Sequence, residues 1–211
     1  MATRKEWKHE SYYLQSREIW PGRGQHILAQ YDEDSVIVYQ AYNKSIADYA
    51  VEHGKFAGCS SFGETRMTWI KPNFLWMMFR SKWGSKKNQD HVLAIWLKRE
   101  AFDNYLENAR TRGSVRDFQG TVRLQWDPDH YPNGDRHPYR RAVQLGLKNV
   151  KSYVNGDDII CIQDISEFVR EQGRIAFKKK EDNTLEVAQE RIYTPDSELT
   201  LEFLSLSDNN N

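Results

Sequence analysis

The residue types best able to do chemistry fall in two stretches, 36–42 and 66–83. In the second, Arg66, Thr68, Trp69 and Lys71 precede Trp76, Met77, Phe79, Arg80 and Ser81. Cations interleaved with aromatic side chains are what a site for a stacked base and a phosphate requires: a guanidinium pairs with phosphate oxygens in a fork, and an indole offers its face. The other reading makes Trp76, Met77 and Phe79 core, with Arg66, Lys71 and Arg80 running charged ends out to water. In the first stretch, Tyr39, Gln40, Ala41 and Tyr42 place an amide at the end of an apolar run. Gln40 can offer donor and acceptor to a ligand lying across a sheet, or be a satisfied core amide, because burying an amide unpaired costs about 1–3 kcal/mol. A further cluster, His137-Pro138-Tyr139-Arg140-Arg141 ahead of Gln144, reads equally as a phosphate contact or a solvated loop edge. The run Lys178-Lys179-Lys180 reads as a solvated turn.

Composition narrows the function classes. The 30 Lys and Arg cancel the 30 Asp and Glu, so no global positive field gathers polyanions and any phosphate recognition must be local. Aromatic residues make up 13 %, with seven Trp and eleven Tyr, enough for stacking platforms as well as core. The two cysteines, Cys59 and Cys161, form neither a disulfide framework nor a Cys-x-x-Cys site, which fits a reducing compartment, the cytoplasm. Histidines at 9, 26, 53, 91, 130 and 137 lack the spacing of metal ligands, so no metal is expected. Walker loops, dinucleotide glycine fingerprints, His-Glu-x-x-His and Gly-x-Ser-x-Gly are all missing from the sequence. It also has no apolar segment of signal-peptide length and no run of about 18 apolar residues, so no membrane partner is expected.

The elements that must position these residues read as one α+β domain over 25–204, entered by an arm, 1–24, and followed by a flexible tail, 205–211. Residues 35–42, SVIVYQAY, predict a strand that puts Val36, Val38, Gln40 and Tyr42 on one face. Asn43 then caps a helix that Gly54 ends. Residues 65–70 predict a short strand, and Pro72 opens a helix through Ser81 that is apolar nearly all round, as suits an interior or a ligand cavity. A buried strand over HVLAIWLKR and an amphipathic helix over 100–112 follow. A strand over 121–126, a loop over 127–138, a strand over 140–145, a strand over 157–163 and a helix over 165–172 capped by Asp164 complete the pattern. There is no strict βαβ rhythm, which argues for α+β.

The segments YDEDSVIVYQAYNKSIADYA, RMTWIKPNFLWMMFRSKW, QDHVLAIWLKREAF and HPYRRAVQLGL closely resemble the family catalogued as domain of unknown function family 4291, a likeness running from Arg17 to about Tyr193. A shorter likeness adds a mechanism. The strand ending in YQAY, the helix after it and Gly54 are similar to the opening of ADP-ribosyltransferase-like folds, where a strand ending in a Tyr-His-Gly-Thr-like turn feeds a helix closed by glycine. That resemblance implies split, bent antiparallel sheets flanked by helices and gripping NAD between them, with Gln40 where those enzymes place their NAD-anchoring histidine. NAD would lie against Tyr39, Gln40, Ala41, Tyr42, Arg66, Thr68, Trp69, Lys71, Trp76, Arg80 and Ser81. Such transferases carry a glutamate on a late strand, where this chain has Gln144, which can hydrogen-bond a ribose hydroxyl but cannot act as a base. Glu64, Glu100 and Glu167 are the substitutes on offer. The expectation is an NAD- or ADP-ribose-binding protein, with transfer to a protein or nucleic-acid acceptor as its extension. The rival is a nucleic-acid module that stacks bases on the same aromatics and follows phosphates along 80–87.

Overall fold

The computed structural model describes residues 5–110, 121–177 and 184–206. In chain order the elements are β1 (His9–Ser11), α1 (Tyr12–Leu14), a π-helical turn (Gln15–Ile19), β2 (Gly24–Gln25), β3 (Ile27–Ala29), β4 (Ser35–Tyr42), α2 (Lys44–His53), β5 (Thr68–Ile70) and α3 (Phe74–Ser81). There follow β6 (His91–Lys98), α4 (Arg99–Asn108), β7 (Ala109–Arg110), β8 (Thr121–His130), β9 (Arg136–Lys148), α5 (Lys151–Asn155), β10 (Ile159–Asp164), α6 (Ser166–Ala176), β11 (Glu186–Ala188), β12 (Arg191–Tyr193) and α7 (Glu198–Leu204). This is a mixed α+β chain. No described helix is long and apolar enough to cross a membrane.

Two sheets dominate. One runs β10-β6-β4, antiparallel throughout; the other runs β2-β9-β8-β7, with β5 also paired to β9. Strand β6 reads as continuous apolar sequence because both its faces are buried. Leu93, Ile95 and Leu97 join Val36 and Val38 in one core, which Val122, Leu124, Val143 and Leu145 close from the second sheet. Val92, Ala94 and Trp96 join Ile37 and Tyr39 in another core under α3 and α6. Gly146 makes room for Met67 and Trp69 against the second sheet, since a Cβ there would lie 2.7 Å from the Met67 sulfur and 2.9 Å from the indole. The segment read as an arm threads into this frame: β1 pairs with β11, and buried Gln15 donates to Ala188 O.

Helix α2 is capped as expected: Asn43 accepts from Ile46 N, and Gly54 closes the helix at φ 65°. Helix α3 starts two residues later than Pro72 suggested. Its cap is Asn73, whose side chain accepts from Trp76 N, and Pro72 stands outside because Lys71 is still held in extended pairing. Residues 127–138 are not a loop. Strand β8 runs to His130 and β9 starts at Arg136, leaving a tight turn between them; Pro128 is tolerated beside a register shift. Helix α5 has no counterpart in the sequence reading. The Lys178 to Lys180 run and residues 111–112 lie outside the described residues.

Buried Glu190 closes α3 from the far side. Its Oε1 accepts from Phe74 N at 2.5 Å, while Oε2 has no partner among the described residues. Burial pushes this carboxyl well above the ordinary value of 4.5, with Phe74 N–H and Arg140 pulling the other way and Asp129 adding to the rise. An acid whose folded pKa is raised stabilises fully below its unfolded pKa, and that stability is lost as pH climbs toward the folded value. Wild-type stability should therefore fall as pH rises above the ordinary carboxyl value of 4.5, and Glu190→Gln, which keeps the acceptor but cannot ionise, should flatten the decline. Glu190→Ala should cost about 1–2 kcal/mol even at pH 5 by orphaning the Phe74 donor. Denaturant midpoints across pH check this; equal slopes for wild type and Glu190→Gln would refute it.

Candidate functional site

Where the two sheets part, a cleft of about 680 Å³ opens, lined by Gln40, Ala41 and Tyr42 from β4, Arg66 to Trp69 around β5, Lys71, Trp76 and Arg80 from α3 and its approach, and Gln125 and Gln144 from β8 and β9. A cleft of this volume matches the usual range for small-molecule sites. Tyr39 and Ser81, the remaining two of the predicted ligand-binding residues, are not in its lining. Tyr39 points to the opposite face of β4 by strand alternation and accepts from Trp7 Nε1 at 3.1 Å. Ser81 turns back on its own helix and donates to Met77 O at 2.9 Å.

Gln40 is 3 % exposed and its amide is engaged inside the protein. Nε2 donates to Thr68 Oγ1 at 2.7 Å and to Trp69 O at 3.0 Å, and Oε1 accepts from Tyr153 OH at 2.6 Å. Tyr42 OH joins Thr68 Oγ1 at 3.0 Å. Of the two readings open for Gln40, the satisfied core amide is the one that the geometry realises: both donors and one acceptor site are taken, leaving little for a ligand.

Lys71 is the most unusual group here. Its side chain is 4 % exposed, its Nζ lies 4.4 Å from the centroid of the Trp76 ring, and it forms no ion pair among the described residues. Burial, helped by the nearby Arg80 charge and opposed by Asp127, brings its pKa down to about 7. A desolvated amine beside a cation in a cleft marks a functional-site candidate on physical grounds. Arg80 and Arg66 are exposed at the same cleft, and Arg80 Nη1 donates to Gln89 Oε1 at 3.2 Å.

Gln144 differs from Gln40 in orientation. Its Nε2 donates to Gln125 Oε1 at 2.9 Å and to Asp127 Oδ2 at 2.5 Å. Those two acceptors fix the amide, since a flipped amide would set oxygen against the carboxylate. The Gln144 carbonyl oxygen is thereby left as an acceptor at the cleft. Burial raises the Asp127 carboxyl, opposed first by Lys71 and then by Trp76 and Gln144.

Asp127 is the carboxylate that sequence reasoning missed, because it was read as the first residue of a loop. The polar alternation Gln125, Asp127, Asp129 along β8 was the available signal. The proposed substitutes stand elsewhere: Glu64 accepts from Gly58 N at 3.1 Å, and Glu100 and Glu167 are exposed in the first turns of α4 and α6. Arg140 is committed to a buried ion pair, Nε to Asp129 Oδ2 at 2.5 Å. Among the described residues no three His, Cys, Asp or Glu side chains gather as a metal site.

The family model described as "Domain of unknown function (DUF4291)" matches residues 26–193. No curated protein matches the chain.

A lysine whose folded pKa is depressed carries no penalty above its unfolded value, and the folded state loses stability as pH falls from that value toward the folded one. Lys71→Met should therefore raise the thermal midpoint at about pH 7 by roughly 5 °C or more, with the gain shrinking toward about pH 10. Thermal unfolding across pH reads this directly; a gain independent of pH would mean that Lys71 is not buried as a strained cation.

Proposed function

We propose, for a chain that belongs to the DUF4291 family, that the cleft between its two sheets binds NAD or ADP-ribose, and that transfer of ADP-ribose to an acceptor is the activity built on that binding. The supporting observation is convergence. Two exposed arginines, a buried amine, two indoles and an oriented amide carbonyl, from the 66–71 stretch, α3 and β9, line one cleft of dinucleotide size. The reading takes the two parted sheets, one antiparallel throughout and the other mixed, as the two jaws of an ADP-ribosyltransferase-like grip on NAD.

Each group then has a task. Arg66 and Arg80 meet the pyrophosphate, where a guanidinium makes forked, charge-assisted hydrogen bonds. Trp69 and Trp76 offer faces to the flat rings. The Gln144 carbonyl accepts from a ribose hydroxyl, and Asp127 acts as its positioning residue. In transfer, an acceptor lone pair bonds to the ribose carbon as the bond to nicotinamide breaks. Its electron pair leaves with nicotinamide, which departs neutral, and the acceptor's proton passes to the unprotonated fraction of Lys71. An amine with a pKa near the working pH suits that role.

Calorimetric titration with NAD should give a saturable heat that Arg80→Ala and Arg66→Ala each weaken by roughly 10- to 100-fold, the worth of a charge-assisted hydrogen bond. Both side chains are exposed, so the variants should fold. Absence of heat at about millimolar NAD removes the proposal. Oligonucleotide binding lost in the same two variants, without an NAD response, would assign the cleft to the nucleic-acid reading.

A further inference from the structure

Away from the cleft, the start of β9 and the π-helical turn that follows α1 meet through Arg140 and carry chemistry of a different kind. The segments 13–23 and 136–141 hold five arginines and a single carboxylate, Glu18, in a chain of zero net charge. Arg140 ties the two together. Its guanidinium stacks 5.2 Å from the Trp20 ring, donates through Nη1 to Pro21 O at 3.0 Å, and has its own charge met by buried Asp129. The parallel pairing of Gly24 with Arg140 then sets Arg23 beside Tyr139.

The four remaining arginines, Arg17, Arg23, Arg136 and Arg141, are exposed and form no ion pair among the described residues. Two of them lie over tyrosines that are themselves open: Arg23 Cζ is 5.6 Å from the Tyr139 ring and Arg17 Cζ is 4.5 Å from the Tyr13 ring. Tyr139 is 64 % exposed and Tyr13 41 %. A core aromatic has no reason to stand so far out, and a merely solvated basic edge has no reason to carry aromatic rings under its guanidinium groups. Flat rings flanked by unpaired cations are what a strand with unstacked bases and a regular anionic backbone demands.

We infer that this face docks a single strand of nucleic acid, with bases stacking on Tyr139 and Tyr13 and phosphates meeting Arg17, Arg23, Arg136 and Arg141. A duplex fits less well, because its bases are stacked on one another and closed to the tyrosines. An acidic peptide would satisfy the arginines and leave the rings idle. The inference goes beyond the cleft reading and does not rest on it. Where both hold, the strand docked here is the acceptor class.

The test is fluorescence anisotropy with labelled single-stranded DNA and RNA of about 12 nucleotides, a duplex of the same length, and an acidic peptide. Single strands should bind, and affinity should fall roughly 50-fold between about 50 and about 200 mM salt if four phosphates are met. Tyr139→Ala should weaken binding about tenfold at constant salt slope, whereas Arg141→Ala should lower the slope by about 0.7. Both positions are exposed, and unchanged circular dichroism confirms the fold. Equal or tighter binding of the peptide overturns the proposal, as does adsorption to anionic lipid vesicles without oligonucleotide binding. Loss of strand binding in Arg80→Ala with Tyr139→Ala unaffected also overturns it and moves the strand to the cleft.

Discussion

The fold depends on how the edge of one sheet is closed against another that does not continue it. Strand β4 is the rim of the first sheet, and a rim leaves backbone donors and acceptors without ladder partners. Here Ile37 N is met by Gln30 O at 2.9 Å and Tyr39 N by Lys71 O at 2.7 Å. One residue further the backbones diverge, and the Gln40 side chain takes over by reaching Trp69 O and Thr68 Oγ1. Tyr153 from α5 completes the amide from the core side. A leucine at position 40 would take a donor from the Trp69 carbonyl and the acceptor from the Tyr153 hydroxyl, while Thr68 would keep Tyr42, in a place where unmet polar groups cost about 1–3 kcal/mol each.

Local chemistry made part of this legible. β-Branched residues and alternation marked β4, and Asn43 and Gly54 marked both ends of α2, because those signals act within a few residues. The gathering of Gln40, Tyr42, Arg66, Lys71, Trp76 and Arg80 around one space could also be anticipated, since each carries functional chemistry on an otherwise apolar element. What stayed hidden was set by partners distant in sequence. Pro128 and Pro138 announce a loop, yet the pairing of β8 with β9 overrides them, so Asp127 was lost with the loop. Tyr153, 113 positions from Gln40, gives no sign in the sequence that its hydroxyl decides whether Gln40 is free. Glu190 gives none that it finishes the start of α3.

Helix α3 shows why ionisable groups collect around this region. It packs on β4 of one sheet and on β8 of the other, so it roofs the seam between them. Phe74, Leu75, Trp76, Met77 and Met78 are all buried beneath it, which makes the neighbourhood poor in water. Any charge set there is expensive, and the chain answers case by case: Arg140 is paired with Asp129, burial pushes the Glu190 carboxyl well above the ordinary carboxylate range, and Lys71 is brought down to about 7 with an indole for company. The first two arrangements complete the fold. The third leaves an amine at a cleft with no ion pair among the described residues, which stability alone does not explain.

Position 71 does two jobs that would ordinarily fall to separate residues. Its carbonyl supplies the backbone bond that stitches β4 to the approach of α3, and its amine faces the cleft. The main chain at that point is therefore fixed by pairing on one side and by the Asn73 cap on the other. A side chain rooted in so rigid a segment loses little further freedom when it engages a ligand, which is how a site is preorganised. The seam that the Gln40 network closes is thus also the foundation on which the amine stands. Loosening the network would blur the cleft even where no lining residue had changed.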